Sequence, residues 1–109
     1  MDTNIEKQPS APELAIASDM LKLVSDPTRL QILWALLHGE HSVNELADHV
    51  HVQPSAVSQH LGKLRLARLV KTRREGNKMF YSTENKHVHI VIKQALAHAE
   101  HQQKGHENE

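Results

Sequence analysis

Residues 42–81, SVNELADHVHVQPSAVSQHLGKLRLARLVKTRREGNKMFY, decide the fold. Ser42 followed three residues later by Glu45 is a capping box, in which each residue satisfies an unpaired donor at a helix start, so a helix opens here. Its inner face is expected to carry Val43, Leu46, Ala47 and Val50. His51-Val52-Gln53 is the turn out of it, and Pro54, with no N–H to lose, suits the first position of the next helix. That second helix turns Val57, Leu61 and Leu64 inward. Leu69 to Arg73 then alternate as a strand, Glu75-Gly76-Asn77-Lys78 turn, and Met79 to Ser82 return. Two helices joined by a tight turn and followed by a basic hairpin predict a winged helix-turn-helix.

The outward positions of the second helix are Ser55, Ala56, Ser58, Gln59, His60 and Lys63, with Gln53 just ahead of them. An ordinary exposed helix face is richer in Glu and Lys. Short polar groups at the N-terminal half suit a helix entering a major groove. Gln can hold an adenine edge with two hydrogen bonds, Ser can reach base or phosphate, Ala can meet a thymine methyl, and Lys can reach guanine or phosphate. The hairpin tip holds Arg73, Arg74, Asn77 and Lys78, placed to lie along phosphates or a neighbouring minor groove.

Upstream, Pro12 to Val24 show helical spacing of apolar residues, and Ser25-Asp26-Pro27 stops that helix and caps the next, 27–38, which is apolar nearly all round and ends at Gly39. Arg29 reads as a structural or phosphate-contacting residue. Residues 1–11 are polar and expected to be a mobile arm, 12–102 one domain, and 103–109 a polar tail. The fold class expected is mainly α with a small β-hairpin, a winged helix-turn-helix flanked by N- and C-terminal helices for dimerisation.

Composition narrows the function. The 109 residues suffice for one domain with a modest core. Net charge is zero, but residues 53–78 hold seven basic side chains against the single acid Glu75, so this window carries +6 and the rest −6. A basic stripe on an acidic protein points to a polyanion at one face; a solvated charged face is the alternative. Three aromatics leave little for stacking on single strands, so duplex DNA is the expected partner. The absence of cysteine removes disulfides and thiolate metal sites. No run approaches the roughly 18 apolar residues of a membrane span, and no secretory pattern precedes the first helix, so a cytoplasmic protein is expected. No nucleophile elbow, phosphate loop or H-E-x-x-H motif is present, and no enzyme is expected. Ten histidines are the compositional anomaly.

The segments SDPTRLQILWALL, SVNELA, VQPSAVSQHLGKLR and LVKTRREGNKMFY, with a closing helix bearing His87, His98 and His101, resemble the ArsR/SmtB family of bacterial metal-responsive repressors over about residues 14–101. In the zinc-sensing branch the last helix carries D-x-H, ten residues, then H-x-x-H or H-x-x-E. The resemblance therefore implies His87, His98 and His101 as metal ligands, with Asn85 standing where that pattern has Asp. An amide oxygen is a weaker ligand than a carboxylate. Nickel- and cobalt-sensing relatives use more His and acidic ligands near the end of this helix, which brings in Glu100 and His106 and keeps nickel or cobalt open beside zinc. A row of surface histidines is the alternative.

Helix geometry adds a constraint. Eleven residues leave His87 and His98 within about 20° of each other around the axis but roughly 16 Å apart along it. They cannot share an ion within one chain. Antiparallel pairing of two copies would bring His87 of one to His98 and His101 of the other, with Val88, Ile92, Ala95, Leu96 and Ala99 as the expected packing face. The function expected is a homodimeric repressor, without other protein partners or membrane attachment, that binds double-stranded operator DNA in the metal-free state and releases it on binding metal. A DNA-binding regulator without metal sensing, for example one responding to pH through its histidines, is the second possibility.

Overall fold

Side chains that satisfy orphan backbone donors mark where most of the helices begin. In the computed structural model, which describes residues 7–107 and side chains as far as Gly105, the order is α1 (Ala11–Val24), α2 (Pro27–Leu36), α3 (Val43–Val50), α4 (Pro54–Leu66), β1 (Val70–Glu75), β2 (Lys78–Thr83) and α5 (Lys86–Glu107). The Ser42–Glu45 box is present in both directions, at 3.2 and 2.8 Å. A second box, Ser10–Glu13, opens α1 just ahead of the expected Pro12 start. Asp26 caps α2 through Arg29 N at 2.9 Å.

The core is a continuous apolar cluster in which Ile32 and Leu33 of α2, Leu46 of α3, and Val57, Leu61 and Leu64 of α4 are fully buried. The inward assignments for α3 and α4 hold, except that Val43 is only half-buried. His51 closes α3 in the left-handed conformation (φ 57°), which redirects the chain into α4.

Several expectations need correction. α2 ends at Leu36, and Trp34 is 49% exposed, so the helix is not covered all round. The hairpin is tighter than expected: Glu75 pairs with Lys78, leaving Gly76-Asn77 as a two-residue loop whose first position needs the positive φ of 62° that glycine tolerates. α5 runs on to Glu107, through most of the stretch expected to be a tail. Of the expected arm, residues 1–6 lie outside the described residues, and Ala11 is already helical.

The largest correction concerns α5. Val88 and Ile92 are 4% and 1% exposed inside the chain's own core, and Leu96 packs against it. The expected dimer face is therefore mostly used within the chain, against α2. Ala95 and Ala99 remain exposed. A residue pair also joins the wing to the helix-turn-helix: His41 and Tyr81 exchange both backbone hydrogen bonds, at 3.1 and 2.8 Å, beside the hairpin.

Candidate DNA interface and metal face

On α4, Ser55, Ser58, Gln59 and Lys63 are exposed in a row, held outward by burial of Val57, Leu61 and Leu64 on the other side. Gln53, at the N-cap position, is exposed and makes no side-chain cap bond, so its amide is available. Ala56 and His60 are set back and half-buried. His60 has a partner already: its Nδ1 accepts from Arg29 Nε at 3.1 Å, while Arg29 Nη1 donates to Leu23 O at 3.1 Å. Arg29 thus ties the end of α1 to α4. The backbone hydrogen bond from Arg29, with the Arg29 charge adding, holds the Asp26 carboxyl below its usual range. No local sequence signal announces this joint, because its partners lie 31 residues apart.

The wing divides its cations into two kinds. Arg73 is paired with Glu40 through Nε (3.0 Å to Oε1) and Nη2, and with Glu75 through Nη1 at 2.9 Å, and its guanidinium lies 5.0 Å from the Phe80 ring centre. Hydrogen bonds from Arg73 lower the Glu40 pKa, and the two carboxylates raise that of Arg73. Arg74, Asn77 and Lys78 are exposed, and among the described residues neither Arg74 nor Lys78 has a carboxylate within ion-pair distance. Glu40, just ahead of α3, was missed from sequence as the wing's anchor.

His87, His98 and His101 are all exposed on α5, on the side roughly 120–180° round the axis from the buried Val88–Ile92–Leu96 stripe. His87 borders an open groove of about 550 Å³ lined also by Ile16 and Met20 of α1, Leu66 of α4, and Val91. Ile16 is 70% and Leu66 88% exposed, so the histidine face adjoins a contiguous apolar surface. Asn85 is otherwise engaged: its Oδ1 accepts from His87 N at 2.9 Å and Val88 N at 3.2 Å, capping α5. Glu100 pairs with Lys104 at 2.7 Å and lines a different groove, with Trp34, His38, His89 and Lys93. The His106 side chain lies outside the described residues. Among the described residues no three donors converge within the chain. Three exposed imidazoles suit a borderline divalent ion, whereas the amide oxygen of Asn85 is already shared between two backbone donors.

A helix-turn-helix with an open polar second helix and a basic hairpin defines a winged-helix DNA-binding regulator. Comparison with known proteins is specific. Residues 26–72 match the family described as bacterial regulatory protein, arsR family. The HTH-type transcriptional regulator KmtR of Mycobacterium tuberculosis is 46% identical over 89 residues, covering 82% of this chain and 68% of that protein. The transcriptional repressor SmtB homolog of Synechocystis is 38% identical over 94 residues, covering 84% and 71%. A solution structure of the homodimeric winged helix-turn-helix DNA-binding domain of a possible ArsR-family regulator from Mycobacterium bovis superposes with a TM-score of 0.81 at 26% identity, covering 90% of this chain and 93% of that one. The chain belongs to the ArsR family. It is a DNA-binding transcription regulator, not an enzyme.

Proposed function

We propose that the protein is a cytoplasmic repressor that holds operator DNA as a metal-free homodimer and releases it when a divalent transition metal binds between two α5 helices. The observation that carries this is the placement of His87, His98 and His101 on an exposed face of α5, beside apolar surface that the chain itself leaves uncovered. Among the described residues no helix is long and apolar enough to cross a membrane. Burial of Ile16, Leu66 and Val91 against a second copy would supply the association energy. The metal would add positive charge and fixed ligand directions, drawing His87 of one copy toward His98 and His101 of the other. Zinc is the first choice, with these three imidazoles and a fourth position left to water.

A second reading, nickel or cobalt with Glu100 and His106 added, gains support from the capping role of Asn85, which engages the oxygen that the fourth position of the zinc pattern would use. Cobalt absorption of the purified protein decides between them. Intense visible bands that vanish in His87→Ala, His98→Ala and His101→Ala would support the four-coordinate zinc-type site. Weak bands that depend on Glu100 or His106 would support the second reading, because higher coordination gives weaker absorption.

On DNA, Ser58 and Gln59 would meet base edges, while Lys63, Arg74 and Lys78 would lie on phosphates and Arg73 would keep the wing against the α2–α3 loop. Salt dependence separates these roles. Lys78→Ala should weaken specific and random DNA alike and reduce the salt slope by about one. Arg73→Ala and Glu40→Ala should each weaken binding with little change of slope, and the double change should cost no more than the larger single one. A slope lowered by about one in Arg73→Ala alone would return Arg73 to the phosphate contacts.

A further inference from the structure

Five histidines lie before α5, and two of them meet. His41 stands just before the Ser42 cap and His49 in the last turn of α3, and their ring centres are 4.9 Å apart. Glu45 lies four residues from each, on the same side of the helix. Its Oε1 is 3.7 Å from His41 Nδ1 and accepts the Ser42 N–H, whereas its second oxygen has no partner among the described residues. His41 is held in place by its two backbone bonds to Tyr81, and its side chain is 22% exposed.

We propose that His41, Glu45 and His49 form a second site for a divalent transition metal ion, on the first helix of the helix-turn-helix and independent of the α5 histidines. Two imidazoles bound to one tetrahedral ion at ordinary zinc–nitrogen lengths have ring centres about 5 Å apart. The backbone already sets that spacing. The rings now meet edge to face at 63°, and no three donors yet converge. Turning the imidazoles about their soft terminal torsions is the change required. Two histidines and one carboxylate are a known zinc donor set, which leaves the fourth position to water. Because His41 also bridges to Tyr81 of the wing, an ion here would tie both ends of α3 and the start of the β2 contact together. Occupancy would therefore stabilise the DNA-binding unit.

The test uses the full chain carrying His87→Ala, His98→Ala and His101→Ala, titrated with zinc alone. The proposal expects one zinc per chain in this variant, with a rise in the unfolding midpoint. Adding His49→Gln, or separately His41→Gln, should remove both effects; His49→Gln in the otherwise native chain should lose one zinc per chain yet keep zinc-dependent operator release. The proposal is overturned if the triple variant binds no zinc, or if its zinc and midpoint shift survive both His41→Gln and His49→Gln. Failure of the α5 sensor would show differently, as operator release unaffected by the triple change.

Discussion

Mixed dimers of a His87→Ala chain with a His98→Ala chain are expected to regain one of the two metal sites that both parent homodimers lack. Roughly 16 Å separates these two residues along α5, far beyond the reach of one ion with bonds near 2 Å. Both side chains are exposed, so a site that uses both would draw on a second copy. In the antiparallel arrangement one site of the mixed dimer receives both alanines and the other receives intact His87, His98 and His101. Each homodimer should lose affinity by more than the roughly 10–100-fold typical of outer-shell changes, while the isolated mixed dimer recovers half of the native stoichiometry. Metal equivalents at equilibrium check this. No recovery in the mixed dimer would mean that His87 and His98 do not belong to one shared site and would remove the dimeric site.

The second large effect is expected at Gln59. Its side chain is exposed on α4 while Leu61, two positions on, is wholly buried, so the helix cannot rotate to hide it without breaking the core. A glutamine amide can make a bidentate pair with adenine, whose loss costs about 1–3 kcal/mol of discrimination. Gln59→Ala should therefore reduce preference for the operator over random DNA by roughly 5–150-fold, while affinity for random DNA and thermal stability stay close to native. Competition binding with operator and scrambled duplexes reads both. An equal drop for both duplexes would mean that Gln59 touches backbone rather than bases.

Features written in neighbouring residues were legible. The Ser42–Glu45 box and Pro54 at a helix start each act within a few positions and stand in the structure as read, and the alternation around Gly76 gave the hairpin although its loop is two residues shorter than read. The face assignment of α5 was not, because periodicity shows that Val88, Ile92 and Leu96 share a side but not whether that side meets its own chain or another. Here α2 takes it. Long-range pairings were equally silent. Arg73 reads as a free wing cation until Glu40, 33 residues earlier, is seen beside it, and His60 reads as a groove residue until Arg29 is seen on its ring. Asn85 was legible as a departure from a ligand pattern, yet its use as a helix cap emerged only from the path of the backbone.

The central claim, that metal and operator compete through the conformation of one dimer, is tested most directly by measuring both affinities in both states. Thermodynamic linkage requires that zinc weaken operator binding by the same factor by which operator weakens zinc binding, and couplings of this kind span about 5–150-fold. The account predicts equal factors in that range for the native protein and a factor near one for His98→Ala. Operator affinity unchanged at saturating zinc, with zinc bound at the α5 histidines, would contradict it.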